Sequence, residues 1–246
     1  MCIRDRVNGT LTVSNINING TIAGSSSQVI PSISGQSGKF LTTNGTSMSW
    51  GQIEAGGGPK SISVYNSGST WNKPSGIKRI WVKCTAGGGG GSGYGESASA
   101  GAHTETIVDV ANINSISVSV GGGGGGTGYS GRGGNGGTSS FGNYCSSGGG
   151  QGANRNQQHE GSLGGNPSQG TVRVYGGSGQ GHRNPPGLGH GGTSFWGGAS
   201  PTSHRQQQWA QRHRNHAAYG AGGSSGRNSE RGGDGRQGIV VVYEFD

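Results

Sequence analysis

The chain has 246 residues, of which 59 are glycine and 7 proline; only 27% are hydrophobic and 11% charged, with a formal net charge of +8. Globular domains usually carry about 45–50% apolar residues with glycine counted, so a large apolar core is excluded and stability must come from backbone hydrogen bonding and close backbone contact. The sparse charge argues against a solvated disordered chain, and the patterned segments between the glycines argue against a simple linker.

Residues 1–6 (MCIRDR) fit neither neighbouring pattern. They resemble the translated adapter scar found at the ends of assembled environmental sequences, which puts the expected native start upstream. Residues 7–55 form a first region, rich in Ser, Thr and Asn. Val7-Asn8-Gly9-Thr10-Leu11 recurs as Ile18-Asn19-Gly20-Thr21-Ile22, and a third Asn-Gly stands at Asn44-Gly45 between Lys39–Thr42 and Met48–Trp50. Asn-Gly tolerates positive φ, so each copy predicts a tight turn between short strands. The Asn-Gly-Thr triplets also match a glycosylation acceptor, but turn chemistry accounts for them. Strands with so little apolar content do not stand alone, and a fibre of three chains sharing one thin core is the usual solution.

Gly35-Gln36-Ser37-Gly38-Lys39-Phe40-Leu41-Thr42-Thr43-Asn44-Gly45, ending in Trp50, resembles the G-x-x-G-K-x-L-x-T-x-G-x-x-x-x-W segment of phage tail-fibre proteins. In that family the segment precedes a distal domain, and here the composition changes at Ala55-Gly56-Gly57-Gly58-Pro59, which sets the boundaries at 7–55 and 56–246.

Beyond the break, strands are predicted at 62–65, 80–84, 104–110 and 116–120, the last alternating cleanly with period two. Residues 239–245 (IVVVYEF) form an apolar run suited to a buried strand that returns to the start of the domain. Between them lie ten glycine-rich runs, at 87–93, 121–128, 131–137, 148–152, 161–165, 176–181, 187–192, 197–198, 220–226 and 232–238. Glycine is entropically costly to order, so a fold that uses it this often must exploit the missing side chain. An extended threefold helix has no internal hydrogen bonds; built from glycine, it can bond laterally to neighbours on every side.

Thr70-Trp71-Asn72-Lys73-Pro74-Ser75-Gly76-Ile77, the middle anchors Val118-Ser119-Val120-Gly121 and 136–142, and the closing 232–241 resemble the glycine-rich tail-fibre domain. They also resemble the polyglycine-II tip adhesins of T-even-like phages. The resemblance implies a mostly β and irregular fold: an N-terminal fibre-like β-segment, a small β-sheet base, and a sandwich of ten polyglycine-II helices carrying variable receptor-binding loops. It further implies a virion protein made in the host cytoplasm. Its partners would be a bacterial outer-membrane protein or surface glycan and other tail-fibre subunits, with a homotrimer formed through the N-terminal region. No contact residue carries over, because the variable loops do not align by motif.

The connecting segments are the candidate binding elements, since loops on a rigid frame carry recognition. The distinctive ones are 153–160, 182–186 and 203–219 (SHRQQQWAQRHRNHAAY). Their candidate receptor-binding residues are Arg155, His159, His182, Arg183, His204, Arg205, Trp209, Arg212, His213, Arg214, His216 and Tyr219. Trp, Tyr and Arg dominate interface hot spots, and ring–cation pairs suit sugars, phosphates and receptor loops. From Gly161 to Ser229 there is no Asp or Glu, so this stretch would attract anionic partners. Phe195 and Trp196 favour a packing role.

Other chemistry lacks its parts. His213 and His216 have no carboxylate or thiol nearby, so neither a metal nor another cofactor is expected. Gly38-Lys39 is followed by Phe40, which excludes a phosphate loop. No acid pair or nucleophile elbow suggests an enzyme. Three cysteines are too few for a disulfide framework. No apolar run approaches transmembrane length and no signal peptide is visible, so neither membrane insertion nor standard secretion is expected. No nucleic-acid module is recognisable. A structural fibre-capping role is the alternative, followed by ice binding, because springtail antifreeze proteins also resemble glycine-helix stacks.

Overall fold

The computed structural model describes residues 32–52, 58–93, 96–128, 131–154, 161–181, 189–199, 217–226 and 231–246. The chain divides into two compact units, Met1–Gly58 and Pro59–Asp246. Every regular element among the described residues is a strand. The expected mostly β class therefore holds.

In the first unit, β1 (Lys39–Thr43) and β2 (Met48–Gln52) form an antiparallel hairpin. The Asn44 carboxamide oxygen accepts from the Thr46 and Ser47 amides at 2.9 and 2.8 Å, and Gly45 takes φ 88°. The turn is thus closed by a side chain mimicking backbone. The two earlier Asn-Gly turns and the repeat that carries them lie outside the described residues.

The second unit begins with a sandwich of two five-stranded sheets. One has the order β11 (Val172–Val174), β6 (His103–Asp109), β5 (Arg79–Thr85), β12 (Ile239–Phe245), β3 (Ser61–Tyr65). The other runs β10 (Pro167–Gln169), β9 (Cys145–Ser147), β8 (Ser139–Phe141), β7 (Ser115–Ser119), β4 (Ser69–Asn72). The closing strand does return to the start, pairing β3 on one side and β5 on the other. Between the sheets lies a small core that includes Trp71, Ile80, Val82, Val108, Ile116, Phe141, Val240 and Val242. Alternation places Ile80, Val82 and Cys84 inward on β5 and leaves Trp81 and Lys83 outward. Cys84 and Cys145 are buried free thiols.

One strand inverts the usual alternation. On β3, Ile62 and Val64 face outward and are each 54% exposed, while Ser61 and Ser63 turn inward to donate to the buried Glu244 carboxylate. A buried charge without donors costs several kcal/mol, enough to offset the burial of two aliphatic side chains that the strand forgoes. Satisfying Glu244 therefore sets the face of the strand.

Above the sandwich stand the glycine runs, and their hydrogen bonds repeat every three residues. In the run 86–92, the amides of Gly87 and Gly90 donate to run 131–137, those of Gly88 and Gly91 to run 231–238, and those of Gly89 and Ser92 to run 96–102. Its carbonyls accept with the same period from runs 148–154, 121–128 and 220–226. This run is therefore enclosed by six neighbours, as a threefold helix with lateral bonding demands. Run 96–102 is enclosed by six as well: 86–92, 148–154, 161–165, 176–181, 189–193 and 220–226. The bonding graph closes as three layers, of three, four and three runs among the described residues.

Two corrections to the expected runs follow. Gly197-Gly198 is no lattice member: Gly197 bridges back to Ser194 in a turn with φ 131°. Its place is taken by 96–102, a run of serine and alanine with a single glycine. The hydroxyls of Ser97 and Ser99 are absorbed by donating to carbonyls on neighbouring runs, to His190 at 2.7 Å and to Leu163. The Gln180 and Gln151 amides in turn donate to these hydroxyls at 2.7 Å. A serine side chain can thus substitute for direct backbone contact where it bridges two runs.

Candidate functional site

The lattice has two ends, and the bonding pattern assigns each connector to one of them. At the sandwich end lie Ala86, Ala102, Gly121, Gly137, Gly148, Gly165, Gly176, Thr193, Gly220 and Gly238, where runs pass into strands or turns. At the other end, Gly93 meets Gly128, Ser92 meets Glu96 and Gly226, and Thr127 meets Gly232. Five pairs of consecutive runs have their facing ends there, and the residues between them, 94–95, 129–130, 155–160, 182–188 and 227–230, lie outside the described set.

The flanks of the three candidate segments therefore do not stand at one end of the lattice. The flanks of the segments containing Arg155, His159, His182 and Arg183 are run ends at the distal end. The segment carrying His204, Arg205, Trp209, Arg212, His213, Arg214 and His216 leaves from the sandwich end, where the Ala218 amide donates to Gly198 carbonyl at 3.3 Å. These eleven residues lie outside the described residues; only their flanks are placed. Tyr219 is described. It is partly buried, its ring 5.9 Å from the Arg236 guanidinium.

Phe195 and Trp196 do pack, as expected. Phe195 stacks on His103 at 3.6 Å with the rings parallel, and Trp196 donates to the Thr85 hydroxyl at 2.7 Å. The His103 imidazole contacts Thr85 Oγ1 at 2.7 Å and Glu105 Oε1 at 3.1 Å. Burial lowers its pKa, the adjacent Glu105 opposing. Both aromatics keep exposed area, 44% and 37%, and Phe195 adjoins Lys83, whose ammonium lies 5.8 Å from its ring and 4.1 Å from the Trp81 ring. The sequence reading missed His103, because a lone histidine in a polar strand carries no periodic signal.

At the distal end the short connectors add residues that the sequence reading passed over: Tyr94, Tyr129 and Arg227 lie within them and Arg132 and Arg231 beside them. Their signal was the ring or cation between two glycine runs, obscured by the brevity of each loop. Glu96 opens the run 96–102 at this end and is 3% exposed. Burial pushes its pKa up to about 7, against a backbone hydrogen bond from Asn154. A carboxyl raised in the folded state binds its proton more tightly there than in the unfolded chain. Its stabilising contribution is complete below the ordinary value of 4.5 and is lost as pH rises through about 7. Glu96→Gln should therefore flatten the decline in Tm across that window and melt higher than the parent above it. Parallel Tm–pH curves for the two proteins would remove this role.

Among the described residues, no three His, Cys, Asp or Glu side chains gather as a metal site requires, and no helix is long and apolar enough to cross a membrane. What the described residues offer is a hydrogen-bonded frame of glycine-rich runs standing on the sheets. No curated protein matches the chain. The model of a family described as glycine-rich domain matches residues 63–244. Its span begins in β3 and ends at Glu244 of β12, so it takes in the sandwich and the whole lattice, and the chain belongs to the glycine-rich domain family.

Proposed function

We propose that the chain is the receptor-binding tip of a bacteriophage tail fibre, adsorbing to a bacterial outer-membrane protein or surface glycan. The observation that carries this reading is that run ends gather at the end of the lattice opposite the sheets, with Tyr, Arg and His in the sequence between them. A side-chain-free scaffold tolerates any loop sequence between its runs, which is what a diversifying binding surface needs. The segment 200–216, leaving from the sandwich end, serves better as a contact to other fibre subunits or to a receptor's flank.

Structural fibre assembly is the second reading. The exposed outer face of the sheet supports it: Ile62, Ile107 and Val172 stand exposed on three of its strands. Exposed apolar area of this kind marks an interaction surface.

The test uses the full chain, labelled, against a panel of bacterial strains. Binding to a subset is expected. Replacing the inner residues of the two longer distal connectors, 155–160 and 182–188, with Gly-Ser should lower that binding at least tenfold, while the same replacement of 200–216 should leave strain selectivity in place. Selectivity that survives the distal replacements would overturn the assignment of the binding surface. Binding to no strain would favour the assembly reading.

A further inference from the structure

The two buried thiols of the sandwich stand at the root of the lattice. Cys84 closes the inward-facing row of β5, and the run 86–92 begins two residues beyond it. Cys145 opens β9, and the run 148–154 begins three residues beyond it. The two strands belong to opposite sheets, and both side chains are fully buried.

Contacts across the sandwich bring the two sulfurs together. Cys145 Sγ lies 3.0 Å from the Thr104 hydroxyl and donates to the Thr104 carbonyl at 3.4 Å, and Thr104 is the cross-strand partner of Cys84 in the β5–β6 ladder. Ser147, on the same face of β9 as Cys145, donates through its hydroxyl to the Cys84 carbonyl at 2.9 Å. The Cys84 thiol itself donates to the Cys145 sulfur. The sheets thus touch directly at Cys84. Loss of the thiol hydrogens would strand no hydroxyl there, because Thr104 keeps Ser147 as a partner at 2.8 Å. Burial pushes the Cys84 thiol up, whereas the hydrogen bond from Cys84 holds Cys145 below the ordinary thiol value. Cys145 is therefore the sulfur that ionises first.

We infer that Cys84 and Cys145 are a disulfide-forming pair that staples the two sheets beneath the lattice when the chain folds in an oxidising medium. The oxidant is a small-molecule disulfide. The finished sandwich shields both sulfurs, so the exchange runs while the sheets are still closing. The Cys145 thiolate, its proton given to solvent, attacks one sulfur of the oxidant, whose S–S bond breaks to release one thiolate. Cys84, likewise deprotonated, attacks the Cys145 sulfur of the mixed disulfide; the Cys84–Cys145 bond forms and the second thiolate leaves. The protein gives up two electrons and two protons, and the oxidant becomes two thiols. The staple closes a loop of about 60 residues and so restricts the unfolded chain. It depends on the sandwich alone, and its failure would leave the adsorption reading standing.

The test synthesises the full chain in a cell-free system buffered with oxidised or with reduced glutathione. Remaining thiols are alkylated under denaturing conditions, and the peptides are mapped by mass spectrometry. Oxidised synthesis is expected to yield a linked Cys84–Cys145 peptide and to raise Tm by about 5–15 °C over the reduced protein. Cys2→Ser should keep both results. Cys84→Ala and Cys145→Ala should each abolish the linked peptide and the redox-dependent difference in Tm. Alkylation of both residues after oxidised synthesis would overturn the inference, as would a bond from either to Cys2 or to another chain in place of the linked peptide. Equal Tm in the two media despite the link would overturn the staple. If the alanine variants do not fold, the oxidised and reduced forms of the parent decide alone.

Discussion

Replacing Gly90 with alanine is expected to unfold the lattice, whereas the same substitution at Gly122 should be tolerated or mildly stabilising. Gly90 lies in the run with six neighbours; its amide donates to Gly134 at 2.8 Å and its carbonyl accepts from Ala153 at 2.9 Å. A Cβ there would collide with the Gly125 carbonyl. The obstacle is backbone, itself bonded into the next run, so it cannot yield as a side chain would. Forced overpacking commonly costs 1–3 kcal/mol, and a clash propagated through bonded backbone should cost about 3 kcal/mol or more. Gly122 is on the open side of the outermost run, where a Cβ meets nothing within 4 Å. There alanine restricts the unfolded chain without native strain, worth about 0.4–1 kcal/mol. Denaturant unfolding of the two variants separates the outcomes. A Gly90→Ala protein as stable as the parent would mean that close backbone contact does not hold the runs together.

The serine and alanine run shows the complementary side of that rule. Ala98, Ser99 and Ala100 occupy a site with six neighbours, yet the facing positions Gly222, Gly150 and Gly176 are glycines whose own Cβ would strike the 98–100 backbone. Side chains are admitted in one run only because their absence is enforced in the runs around it. This is also why run 96–102 was illegible in the sequence: a search for glycine finds runs that give room and overlooks the one that takes it. Conversely, Gly197-Gly198 looked like a run and is a turn, since two residues cannot complete one threefold repeat.

The longer strands were legible from alternation because one face is buried. The three-residue strands β8 to β11 were not, being too short to show a period and, in Ser139-Ser140 and Ser146-Ser147, too polar. The inverted face of β3 depends on Glu244, more than 180 positions away, which no local pattern encodes. The candidate loops lie outside the described residues. The lattice ends at which their flanks stand follow from the lattice bonding, and residue order does not reveal them.

The contact between Trp71 and Glu244 should be the most consequential single bond in the sandwich. Trp71 Nε1 donates to Glu244 Oε1 at 2.7 Å, crossing from β4 in one sheet to β12 in the other. Both residues are almost completely buried, and the ring also packs against Phe141, with centroids 5.9 Å apart. Trp71→Ala should cost about 3–5 kcal/mol through the cavity alone. Trp71→Phe keeps most of the volume but removes one donor from a buried carboxylate, which should cost about 1–3 kcal/mol. Glu244→Gln should be less damaging in the Trp71→Phe background than in the parent, since the two residues share the interaction. Equilibrium unfolding of the four proteins yields that coupling, and strict additivity would show that the bond contributes nothing. Glu244→Leu carries the argument to the strand edge. With no carboxylate to satisfy, Ser61 and Ser63 lose their reason to point inward while Ile62 and Val64 remain exposed, so the amides of β3 should exchange with solvent faster than they do in the parent. Unchanged protection of β3 would mean that the strand face is fixed by backbone pairing to β12, independently of the buried charge.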